Sequence, residues 1–151
     1  MTGPLEGIRV VDLTQVVSGP LATMLLADQG AEVVKVEPLG IGGDVTRLPS
    51  FAKGGISALF VNNNRGKRSL AVDLTKEEGK QIVIDLVEQA DVFIQNFRPG
   101  AIERLGLSYD ELKAVNPKLI YCSISGFGPD GPYSDRPVSY THLTLPTNRE
   151  V

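Results

Sequence analysis

One cysteine, Cys122, is all that 151 residues contain, so no internal disulfide framework can brace the fold. Positive charge is not in excess either: 15 Lys and Arg against 18 Asp and Glu leave a formal charge of −3. A nucleic-acid binder needs a net basic face to displace counterions from phosphates, and this composition argues against one. No apolar run approaches the roughly 20 residues needed to cross a bilayer. The opening segment from Met1 to Gly7 lacks the basic-then-apolar order of a secretory leader. Together these absences set the expectation of a cytoplasmic protein with no membrane and no nucleic acid among its partners. Phosphate-loop signatures are missing too. The turn after the first apolar run reads Val16-Val17-Ser18-Gly19-Pro20, not G-x-G-x-x-G, and Gly66-Lys67-Arg68-Ser69 has no upstream glycine and leads into a strand. Glu37 follows the turn by roughly twenty residues, the distance of a ribose-binding acid. Without the glycines a backbone cannot close on a pyrophosphate in the usual way, so NAD and ATP are not expected.

What is present reads as an ordinary globular domain: 42% hydrophobic and 22% charged residues, in a chain long enough for one core. Ile8 to Leu13 is a short β-branched run and predicts a buried strand. Pro20 suits the first position of a helix continuing to Gln29, which Gly30 ends. A second strand is expected from Glu32 to Glu37, closed by Pro38. The alternation recurs, with a strand from Ser69 to Leu74 and a capping-box signature at Thr75-Lys76-Glu77-Glu78 ahead of a helix to about Gln89. A strand from Asp91 to Gln95 follows. Ser108-Tyr109-Asp110-Glu111 offers a second capping box, on a short helix stopped by Asn116-Pro117, before a strand from Leu119 to Ser125. The glycine-rich residues 39–55 predict a loop leading into a short helix near Ser57 to Val61. Strand-helix alternation with tight connections predicts an α/β fold with a doubly wound, mostly parallel sheet.

Past Pro137 the pattern breaks. Residues 138–151 have no helical stripe, and their alternation is interrupted by Pro146. The string resembles translated sequencing adapter, so the natural domain is expected to span 1–137, with 138–151 foreign to it and His142 given no role.

The candidate ligand-binding residues are cations and donors near strand ends. Asn96, Phe97 and Arg98 fall directly after a strand's carboxyl end, where open α/β sheets bind ligands, and Arg104 follows on a short helix. Phe97 fits a core anchor equally well. Arg65, Lys67 and Arg68 are, taken singly, expected to be solvated. Cys122 alternates with Ile120 and Ile124 and is read as a small core residue with no histidine partner. Asp12 and Asp73, near strand ends, could each cap a helix, meet a ligand or be solvated. No metal site is expected.

Several segments resemble family III CoA-transferases: residues 7–14, Ser18-Gly19-Pro20, residues 28–37, Asn64 to Ser69, Asp91 to Gly100, and Ser125 to Tyr133. The resemblance runs from about Leu5 to Pro137. It implies a Rossmann-like N-terminal domain of an interlocked homodimer. It further implies an enzyme that moves coenzyme A between carboxylic acids through an aspartyl-CoA thioester, with acyl-CoA and a carboxylic acid as partners. Carried over singly, the coenzyme contacts fall on Val16, Val17 and Ser18, on Val72, Asp73, Leu74 and Thr75, and on Asn96, Phe97, Arg98 and Arg104. Val17 stands where some members have a catalytic glutamine, and Pro38 where some have an adenine-contacting arginine. In the family, a Gly-Tyr-Asp sequence follows the position of Pro137, and the nucleophilic aspartate lies further on, so no catalytic residue is expected within this chain. Two further readings are a racemase of the related α-methylacyl-CoA type, whose histidine would be expected near Ser125 to Gly128, and a coenzyme A-binding module without catalysis.

Overall fold

A computed structural model of the chain describes residues 3–40, 42–48, 52–128 and 130–134. Five parallel strands form its sheet: β1 (Arg9–Asp12), β2 (Glu32–Pro38), β5 (Arg68–Val72), β6 (Val92–Gln95) and β7 (Ile120–Ser123), in the order β5-β2-β1-β6-β7. The chain builds outward from β1 to one edge, then returns and builds to the other. Strand order therefore reverses between β1 and β6, which makes their carboxyl ends the topological switch point.

Helices cover both faces. Helix α1 (Ser18–Asp28) lies over one face, where Leu26 and Ala27 pack on Val10, Ala31, Val33 and Ile94. Helices α3 (Glu77–Glu88), α4 (Ala101–Arg104) and α5 (Tyr109–Val115) lie over the other. There Val83, Val87, Ile102, Leu107 and Leu112 join Val11, Val36, Val72 and Phe93 in the larger core cluster. Adjacent strand residues feed opposite clusters, Val10 and Val11 on β1, Phe93 and Ile94 on β6. This is the period-two pattern of a sheet buried on both sides. Gly79 lets α3 press close to the end of β5, since a Cβ there would sit 2.1 Å from the Asp73 carbonyl oxygen.

The expected α/β architecture is present, with three local differences. Helix α1 starts at Ser18, not at Pro20, because the Leu21 N–H already bonds the Val17 carbonyl at 2.8 Å. The Thr75 capping box does not form. Asp73 takes both the Thr75 N–H and hydroxyl (3.0 and 2.6 Å), and α3 begins after Lys76 with no side-chain cap. At Ser108 the capping box is complete. Residues 39–55, expected as a loop, include a 3₁₀ turn (Val45–Arg47) and strand β3 (Ala52–Lys53), which pairs antiparallel with β4 (Ile56–Ser57) before α2 (Ala58–Asn64). Ile120 is exposed on the edge strand β7, while Cys122 and Ile124 pack partly against the smaller core cluster. The tail expected to be foreign, residues 138–151, lies outside the described residues.

Candidate functional site

The loop leaving β1 is gripped on every side. Asp12, fully buried at the end of the strand, turns back to accept the Thr14 N–H at 2.8 Å and also the Thr14 hydroxyl. Its other oxygen accepts the Thr23 hydroxyl at 2.6 Å and pairs with the Lys67 ammonium at 3.0 Å. Lys67 completes its shell with the Pro20 carbonyl and Asn64 Oδ1, both at 2.8 Å. One ammonium thus ties β1, the start of α1 and the end of α2 together. Lys35 does the same from β2. It is 1% exposed, donates to the Thr14 carbonyl at 2.6 Å and pairs with Asp44 at 3.0 Å.

The network extends to Glu37, whose carboxylate takes a bidentate pair of bonds from Arg47 (2.7 and 2.8 Å), the Asp44 N–H (2.9 Å) and the Ser69 hydroxyl (2.7 Å). Three carboxylates, Asp12, Glu37 and Asp44, therefore face three cations, Lys35, Arg47 and Lys67. Buried charges persist only when paired and hydrogen-bonded in this way. Burial pushes the Glu37 carboxyl up, yet the bonds from Arg47, Asp44 and Ser69 outweigh it and hold the group at about 2. Burial lowers Lys67, against the pull of Asp12. The Arg47 guanidinium also lies 3.6 Å over the Phe60 ring, a cation–π contact.

At the switch point itself, Asn96 and Gln15 bond reciprocally. The Gln15 N–H donates to Asn96 Oδ1 at 2.9 Å, and Asn96 Nδ2 donates to the Gln15 carbonyl at 2.8 Å. The loops after β1 and β6 are stapled side by side. Val16 follows with φ +73°, the only non-glycine residue among those described in the left-handed region. For a β-branched side chain this conformation costs on the order of 1–3 kcal/mol. Helix α1 then begins with no side-chain cap and no acidic residue in its first turn. By contrast, α3 and α5 carry Glu77 and Glu78, and Asp110 and Glu111, in theirs. The start of α1 thus offers N–H groups and a positive dipole end with no carboxylate of its own, an arrangement suited to an anion. Gly19 is required there, since a Cβ would meet Thr14 at 2.3 Å.

The sequence-predicted residues divide by position. Val16, Val17 and Ser18 lie at the switch point, with Ser18 exposed and Val17 preceding the helix. Asn96, Phe97 and Arg98 lie beside them, but the Asn96 amide is committed to Gln15, and Phe97 packs partly on the larger core while its N–H bonds Gln95 Oε1 at 2.7 Å. Arg98 and Arg104 are exposed. Val72 is a core side chain, Leu74 packs against the same core, and Asp73 with Thr75 forms a turn on the carboxyl edge, beyond β2. Beside β2 and β5 lies a hollow of about 350 Å³ lined by Glu37, Pro38, Leu39, Gly40, Gly42, Gly43, Arg47, Ser69 and Ala71. None of the sequence-predicted contacts lines it. Sequence reading missed Lys35, Asp44 and Lys67 as buried ions. Lys67 had been expected in solvent, and its burial follows from the three acceptors that enclose it.

Residues 5–143 match the family model for CoA-transferase family III. The chain belongs to that family. Among its relatives, a probable fatty acyl-CoA transferase from Mycobacterium tuberculosis is 47% identical over 136 residues, covering 89% of this chain and 34% of that protein. The human succinyl-CoA:glutarate CoA-transferase is 45% identical, covering 88% of this chain and 30% of the relative. A crystal structure of a CAIB/BAIF family protein from Brucella suis superposes with a TM-score of 0.83 at 46% identity, over 91% of this chain and 37% of that one. This family III chain thus spans about a third of the length of the relatives it matches.

Proposed function

We propose that the protein containing this chain moves coenzyme A between carboxylic acids, and that this chain supplies the cradle for the coenzyme. The observation that carries the reading is the stapled switch point. Strand order brings residues 16–18 and 96–98 to adjacent strand ends, and the Gln15–Asn96 pair fixes them there. The ligand carries a pyrophosphate and a ribose phosphate, which call for N–H donors and guanidinium groups. The uncapped start of α1 offers the first, and exposed Arg98 and Arg104 offer the second. In the turn after β5, Asp73 and Thr75 stand at the far side of the same edge, where they would bound the adenine end across the hollow beside Glu37 and Arg47.

Chemistry would proceed through an aspartate outside this chain. Its carboxylate attacks the acyl thioester carbonyl, expelling coenzyme A thiolate and forming a mixed anhydride. The thiolate attacks the aspartyl carbonyl of that anhydride, releasing the donor acid and leaving an aspartyl-CoA thioester. An acceptor carboxylate then repeats the two steps in reverse, so one hard exchange becomes several easier ones. In this scheme the chain binds and orients the thioester and supplies no nucleophile. Isothermal titration with coenzyme A and an exchange assay from succinyl-CoA to glutarate or oxalate test the reading. The whole gene product should bind and exchange, while the 151-residue chain alone should show no turnover. Turnover by the chain alone would overthrow the claim of an external nucleophile, and a whole protein that neither binds nor exchanges would overthrow the proposal.

A further inference from the structure

Every backbone polar group from the Thr14 N–H to the Val16 N–H is held by a side chain from another part of the fold. Asp12 accepts the Thr14 N–H, Lys35 donates to the Thr14 carbonyl, Asn96 takes both polar groups of Gln15, and Asp44 receives the Val16 N–H. Of these four, only Asp44 acts at the strained residue. The Val16 N–H faces both of its carboxylate oxygens, at 3.4 and 3.3 Å. Asp44 is itself immobilised: Oδ1 accepts the Thr46 N–H and hydroxyl at 3.0 and 2.8 Å, Oδ2 pairs with Lys35 at 3.0 Å, and its own N–H bonds Glu37. A carboxylate that served only to neutralise Lys35 would need neither the approach to Val16 nor this fixed orientation.

We propose that Asp44 is a positioning residue that keeps Val16 left-handed, so that the N–H groups following it at the start of α1 stay aimed at the bound anion. The benefit to binding rests on the coenzyme A reading above; the grip on Val16 does not. Glycine adopts a positive φ without a steric penalty, and that supplies the test. In the gene product carrying this chain, Asp44→Asn should weaken coenzyme A binding about tenfold by calorimetry, and the Asp44→Asn, Val16→Gly double variant should regain at least about threefold of that loss. The Val16 amide in Asp44→Asn should exchange its hydrogen about tenfold faster than in the parent.

Undiminished affinity in Asp44→Asn, or a loss that glycine fails to repair, would overturn the proposal and leave Asp44 a charge partner of Lys35. A parent protein that binds no coenzyme A would refute the coenzyme reading instead. The grip would then be judged by exchange at Val16 alone, and an unaltered rate would end it. Should Asp44→Asn not fold, Asp44→Glu keeps the charge, displaces the carboxylate by one methylene and is read against the same glycine rescue and exchange criteria.

Discussion

Glu37 gains its acidity from being surrounded by donors. Its folded-state value, about 2, lies below the ordinary 4.5, so its contribution to stability is fully present above pH 4.5 and is lost as pH falls toward 2. Arg47 is partly exposed, and solvent discounts the pair, leaving on the order of 2 kcal/mol at neutral pH. Glu37→Gln should therefore be less stable than the parent in urea melts at pH 7. Across pH 4.5 to 2 its stability should decline less steeply. At this scale the sequence was hardest to read. Lys35 and Glu37 look like exposed alternating charges on a strand, and nothing near Lys67 in the chain signals burial. Their partners, Asp44 and Asp12, are brought in by the fold. Val16 also carries no local mark, since a positive φ is normally signalled by glycine.

Elements were more legible. Apolar runs at β1, β2 and β6 are buried in the sheet as read, and Ser108 caps α5 through a reciprocal pair with Glu111. Ser108→Ala should cost about 1 kcal/mol. Thr75→Ala should cost less, because Thr75 belongs to the turn that Asp73 organises and does not cap α3. Chemical denaturation of the two variants side by side separates them. Thr75 shows why a motif is not a cap. A carboxylate two residues earlier competes for the same hydroxyl and N–H, and it wins before the helix begins.

For the whole molecule, strand-helix alternation was enough to give the layered parallel sheet, because each connecting helix has to cross a face between parallel strands. Among the described residues, both core clusters and the hydrophobic residues packed against them come from residues 5–124. Deleting residues 138–151 should then leave the melting temperature within about 2 °C of the parent, measured by circular dichroism. A larger drop would show that the tail belongs to the domain.

On the proposed coenzyme A reading, Lys67 has one further consequence. An activated acyl group is an indiscriminate donor to free amines, and a binding site for one invites slow self-modification. The lysine nearest the start of α1 is already saturated, its three ammonium protons matched to Asp12, Pro20 and Asn64, while Lys53, Lys76 and Lys118 stand in solvent. A fold that buries this amine among three acceptors keeps it out of reach of an acyl group held nearby.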